Sequence, residues 1–140
     1  MYFNKIMRTT ARETLFKIIF ASQFTHSADE GFKRSLYKAE KLDEKDVEYC
    51  TAILNIIDEH RDEFVRILDE RSRLFPESRL FPADRSILFI ALAEILYFDD
   101  VPKAVSVNEA ANIASKYSTE RSASFVSGIL SEIIKGSGNV

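Results

Sequence analysis

Few positions along this chain can interrupt a helix. Its 140 residues hold four glycines and three prolines, and apolar side chains recur between them at the three- and four-residue spacing of a helix face. The pattern predicts an all-α chain of about seven helices with no strand. Hydrophobic residues make up 46 % and charged residues 29 %, the balance of a globular protein rather than a disordered one. Eleven Phe and five Tyr supply a core that needs neither metal nor disulfide, and this length suits one domain. The lone Cys50 cannot form an internal bridge, which favours a reducing, cytosolic setting. No apolar run approaches the roughly 18 residues of a membrane span. The N-terminus lacks the basic, apolar and small-residue order of a signal peptide, so a cytoplasmic location is expected.

Local signals place the elements. Thr10-Ala11-Arg12-Glu13 has the form of a capping box, so a first helix should start near Thr10, with stripes Leu15, Ile18, Ile19 and Phe16, Phe20, Phe24. A short helix from Asp29 to Glu40 follows, presenting Phe32, Leu36 and Ala39. Asp43 is placed to cap the next, whose inward positions include Val47, Cys50, Ile53, Leu54 and Ile57. The charged stretch from Asp58 to Asp62 has no apolar member and predicts a kink, after which Phe64, Ile67 and Leu68 resume the pattern. Pro76 and Pro82 bracket a connecting loop between two helical halves.

The second half opens with a strongly apolar helix after Asp84-Arg85 carrying Ile87, Leu88, Ala91, Leu92, Ile95 and Leu96. Asp99-Asp100-Val101-Pro102 ends it, because a residue before proline avoids helical angles. Ser106-Val107-Asn108-Glu109 repeats the capping-box form and predicts a helix start there. A final helix begins around Ser118-Thr119 and buries Ala123, Phe125, Val126, Ile129, Leu130 and Ile133. The tail over residues 136–140 is expected to be disordered.

Catalytic chemistry finds little material. His26 and His60 are far apart and carry no motif, Cys50 falls on an inward stripe, Asp99-Asp100 reads as a helix end, and no glycine-rich phosphate loop exists. No metal site, cofactor or enzyme activity is expected. The net charge of −3 is unevenly spread: residues 1–28 carry +3, residues 29–77 carry −5 and residues 78–140 carry −1. On a first helix Lys5, Arg8 and Arg12 fall within about 60° of one another at about 3.6 residues per turn. Three cations on one face suit a phosphate backbone, and they equally suit a solvated helix face.

Three ordered motifs carry a resemblance. Asp84-Arg85-Ser86-Ile87-Leu88-Phe89-Ile90-Ala91-Leu92-Ala93-Glu94-Ile95-Leu96 is similar to the conserved helix of the NusB family. Asp100-Val101-Pro102-Lys103-Ala104-Val105-Ser106-Val107-Asn108-Glu109-Ala110 matches that family's aspartate–hydrophobe–proline and asparagine–glutamate–alanine signature. The run from Lys116 to Leu130 resembles its last helix, and Arg8-Thr9-Thr10-Ala11-Arg12-Glu13 its arginine-rich opening. The resemblance implies one helical domain over residues 1–140, built as two small packed bundles, and a role with RNA polymerase in transcription antitermination.

Family members bind single-stranded boxA leader RNA jointly with the ribosomal protein NusE. By that likeness Lys5, Arg8, Arg12 and Phe125 contact RNA, with Arg8 and Arg12 facing solvent, while Arg79 and Asp84 belong to the NusE-facing surface. The chain departs from the family pattern at Thr9 and Thr10, where arginine is usual, and at Phe89, Ala93 and Ser127. The changes at Thr9 and Thr10 imply a weaker electrostatic contribution to RNA binding. Two other readings stand beside this one. The chain is the N-terminal RNA-binding domain of a ribosomal RNA cytosine methyltransferase, or it is a protein-interaction module, as in a homodimer, without RNA binding.

Overall fold

The structure, a computed structural model, describes residues 8–25, 29–71 and 80–136. These hold six α-helices and no strand: α1 Thr9–Thr25, α2 Glu30–Ala39, α3 Glu44–Arg71, α4 Pro82–Tyr97, α5 Lys103–Tyr117 and α6 Glu120–Gly136. The count is six rather than about seven because the charged stretch 58–62 bends a helix without dividing it. His60, at φ −117° and ψ 19°, leaves helical geometry within α3, and the chain regains its course in time to bury Phe64 and Leu68.

The helix ends show which local signals the chain uses. Asp29 caps α2 by accepting from the Gly31 amide at 3.2 Å. Asp43 caps α3 through the Asp46 amide at 2.8 Å, and Thr119 caps α6 through the Ser122 amide at 3.0 Å. The end of α2 is a Schellman turn. Leu42 donates to the Tyr37 carbonyl and Lys41 to that of Lys38, with Lys41 left-handed at φ 57°.

Both anticipated capping boxes are corrections. Helix α1 begins at Thr9 and α5 at Lys103, behind Pro102. Thr10, Glu13, Ser106 and Glu109 therefore lie inside helices, where i and i+3 share a face and point at neighbouring elements. Helix α4 likewise starts at Pro82, before Asp84. Gly136, expected in the disordered tail, is instead the last residue of α6, while Pro76 and residues 137–140 lie outside the described residues.

Helix α4 is the hub, packing against α1, α3, α5 and α6. Every residue from Ser86 to Ile95 is buried, as expected of a helix apolar on all sides. One continuous core joins Leu15 and Ile19 of α1, Ile53 and Phe64 of α3, Leu88 and Leu92 of α4, Ala114 of α5 and Leu130 of α6. Helix α2 buries no residue fully. No helix among the described residues is long and apolar enough to cross a membrane. Cys50 is fully buried, its Sγ 3.7 Å from the Ala11 carbonyl, and burial first, then Asp46, pushes the thiol up to about 12. It should therefore resist a disulfide reagent such as DTNB in the native protein and react fully once the chain is unfolded in urea. Rapid reaction under native conditions would contradict this packing.

Candidate nucleic-acid interface

The cations expected to share one exposed face do not. Arg12 is only 2 % exposed, because Ala11, Arg12, Leu15, Ile18 and Ile19 of α1 all turn inward. Its guanidinium forks onto Glu94 of α4, with Nε to Oε2 at 2.6 Å and Nη2 to Oε1 at 2.9 Å, and reaches Glu109 of α5 at 3.0 Å. Tyr49 of α3 donates its hydroxyl to Glu94. Ser106 donates to Glu94 at 2.8 Å, and Thr9 to Glu109 at 2.8 Å. Burial disfavours the Arg12 charge, yet the surrounding Tyr49, Glu94 and Glu109 hold its pKa above the ordinary value. Burial, then Glu94, raises the Tyr49 hydroxyl well above its own, so Tyr49 stays neutral and donates. The anticipated solvent-facing Arg12 is thus corrected to a structural cation: the apolar stripe beside it dictates the rotation of α1.

Arg8 sits at the start of α1, half-buried, with a left-handed backbone at φ 42°. Its guanidinium lies 4.7 Å from the Tyr49 ring centre and 5.7 Å from that of Phe98. Lys5 lies outside the described residues. Further along α1, Lys17 pairs with Glu40 of α2. Glu13 accepts from Lys116 and Tyr117 of α5, each at 2.8 Å. Burial opposes the Glu13 charge, but these donors hold its carboxyl below the usual range.

Phe125 is half-buried on α6 and packs against the core. Asp84 is 4 % exposed; its Oδ2 accepts from Ser122 at 3.3 Å, while Oδ1 is enclosed without a partner. Arg79 lies outside the described residues. Near Asp84, Gln23 of α1 donates to the Pro82 carbonyl at 2.8 Å. Its neighbour Phe24 is 62 % exposed, and Phe81, beside Pro82, is 68 % exposed. The stripe of Phe16, Phe20 and Phe24 therefore ends in solvent, and no periodic pattern marked Phe81.

Glu94, Glu109 and Tyr49 were also missed as a unit. Their signal was a lone acid inside an apolar helical run, which at burial demands a partner. His26 lies outside the described residues, and His60 stacks on Tyr97 with centroids 3.9 Å apart. Among the described residues no group of His, Cys, Asp and Glu is arranged to hold a metal.

Two outcomes follow from these burials. Arg12→Ala strands two buried carboxylates and should cost about 3–5 kcal/mol in urea unfolding; a loss under about 1 kcal/mol would mean the network is not closed. Burial, only partly offset by Ser122, raises the Asp84 carboxyl pKa. A raised carboxylate pKa means the folded state binds the proton more readily. Stability therefore falls as pH rises through that range and stays lowered above it. Asp84→Asn should raise the melting temperature at neutral pH, and the gain should shrink on acidification. A variant less stable than the parent at pH 7 would show that the charge is needed.

Comparison with known proteins agrees with this architecture. The sequence model of the NusB family matches residues 9–135. The transcription antitermination protein NusB of Methylacidiphilum infernorum is 43 % identical over 97 residues, covering 69 % of this chain and 68 % of that protein. That of Finegoldia magna is 30 % identical over 132 residues, covering 94 % of this chain and 96 % of that one. Among solved structures, NusB from T. maritima superposes with a TM-score of 0.84 at 31 % identity, over 91 % of this chain and 90 % of that chain. A chain in the complex of antitermination factors NusB and NusE with double-stranded RNA gives 0.82 at 20 % identity, over 93 % and 97 % of the two chains, a likeness of fold. With the family's motifs laid on α4, α5 and α6 and the match running through nearly all the described residues, the chain belongs to the NusB family.

Proposed function

We propose that this chain is an RNA-binding transcription antitermination factor that takes up boxA-type leader RNA together with the ribosomal protein NusE, in the cytoplasm and in company with RNA polymerase. The observation that carries this reading is family membership over residues 9–135, with relatives named as antitermination proteins matched over nearly their full length. That match disfavours the methyltransferase alternative and an enzymatic role. We take α1–α3 and α4–α6 as the family's two bundles, joined through α4 into one domain.

In this reading Lys5 and Arg8 meet phosphates of the RNA, and Phe125 on α6 offers a stacking surface. Arg12 contributes from beneath, by fixing the rotation of α1, at whose start Arg8 lies against Tyr49 and Phe98. NusE docks at the junction of α1 and α4, around Arg79 and the first turn of α4, where Asp84 is tied to Ser122 of α6. The exposed rings of Phe24 and Phe81 supply the apolar contact there, with polar residues at its edge.

Fluorescence anisotropy with a boxA-like single-stranded RNA tests the reading. Weak binding alone should tighten markedly with NusE present, because the second contact becomes effectively intramolecular. No RNA binding with NusE present would overturn it and leave a protein-interaction module. Within the complex, Phe125→Ala should cost about 1–3 kcal/mol of RNA binding, the usual stacking loss. A folding loss of roughly 3 kcal/mol or more would instead mark Phe125 as a core residue.

A further inference from the structure

Between the start of α1, the first turns of α3 and the end of α4 lies a pocket of about 310 Å³ lined by Arg8, Lys45, Glu48, Tyr49, Ala52 and Phe98. Its volume reaches the lower range of small-ligand sites, roughly 300–1,000 Å³. Three features distinguish it from an ordinary surface hollow. Arg8 holds a left-handed backbone at φ 42°, a conformation costly for a residue with a Cβ. Its guanidinium stands against the Tyr49 and Phe98 rings, and its Nη1 is enclosed with no hydrogen-bond partner. The donor inventory of Arg8 is therefore not fully used by the fold. Lys45 and Glu48, both exposed, give the rim one cation and one acceptor.

The charges do not favour a bare phosphate. Glu48 lines the wall, and Asp46, a neighbour on the same turn, shares the field of Arg8. Arg8 and Lys45 are thus balanced by two acids. An arginine plane and a phenylalanine ring beside a carboxylate suit a nucleobase better. The flat groups stack on an unpaired base, and a carboxylate accepts from an amino group on its edge.

We propose that this pocket receives one unpaired base of the bound RNA, stacked against Arg8 and Phe98, with Glu48 accepting from the base's exocyclic amine and Lys45 meeting the adjoining phosphate. The inference rests on the RNA-binding reading above and extends the RNA path from α1 onto α3. It selects adenine, cytosine or guanine over uracil, which lacks the amine.

The test uses the full chain with NusE and a boxA-like single-stranded RNA, with binding followed by anisotropy across a salt series. Lys45→Gln should flatten the log–log salt slope by roughly 0.7, one phosphate's share for a single strand. Phe98→Leu, which keeps apolar bulk against Tyr49, should weaken binding about fivefold or more. Glu48→Gln should reduce the discrimination against RNAs in which single positions are changed in turn to uracil. Photo-crosslinking followed by mass spectrometry should place an RNA adduct on Phe98. If the parent binds RNA while all three variants keep its affinity, salt slope and base preference, the pocket proposal is overturned and the RNA-binding reading stands. If the parent with NusE binds no RNA, that reading falls and takes this one with it.

Discussion

The buried contact between Arg12 and Glu94 fixes the relation of four helices at once. A guanidinium in an apolar interior is tolerated only with a matched set of acceptors, and the forked geometry here leaves little freedom in how α1 meets α4. Tyr49 brings α3 to the same carboxylate, and Ser106 brings α5. Glu109 and Thr9 close the circle between α5 and α1. One arginine faces two carboxylates, so the enclosed set is rich in negative charge, and three hydroxyls share that load by donating. Apolar packing alone would allow helices to slide or rotate; a closed polar set with fixed donor directions specifies one arrangement.

That arrangement has a consequence at the surface. Tyr49 reaches Glu94 with its hydroxyl, and Arg8 lies over the ring of the same residue. The charge centre in the interior and the cation at the edge thus meet through one aromatic side chain. With Arg12 held, the start of α1 has a single rotation, and Arg8 is carried to the mouth of the hollow between α1 and α3. The exposed chemistry of this corner is set from below, by the almost wholly buried Arg12, Glu94 and Tyr49.

Much of the fold was legible because its signals are local. The kink at His60 was visible as five successive residues without an apolar member, and the caps at Asp29, Asp43 and Thr119 sit where small polar side chains precede apolar periodicity. The two capping-box patterns misled for a definite reason. A serine or threonine followed three residues later by glutamate is also one polar patch on a continuing helix, and position along the chain cannot distinguish the cases. At 106 and 109 the patch faces Glu94 and Arg12, so the pair serves tertiary contacts. Arg12 was misplaced by the same ambiguity: on one continuous helix Lys5, Arg8 and Arg12 would share a narrow arc, but spacing does not say which way that arc looks, and α1 begins only at Thr9, after the left-handed Arg8. The acids inside apolar α4 and α5 held the missing information, since a buried carboxylate requires a cation from some other element.

The departures from the family pattern acquire different meanings once placed. Thr9, where arginine is usual, donates to Glu109 and is part of the closed polar set. Phe89 is 2 % exposed, packs near Phe64, and lies beneath the Arg61 guanidinium at 5.5 Å; Ala93 is fully buried. Neither of these two lies on the surface where RNA is proposed to run, so they bear on how α3 and α4 pack. The phenylalanine at 89 fills the interior beside Phe64, and the small side chain at 93 is wholly enclosed within α4's packing. Under the RNA path proposed above, the described cations Arg8 and Lys45 of this corner are set against Glu48 and Asp46, so that stacking and a partner protein would count for more there than charge.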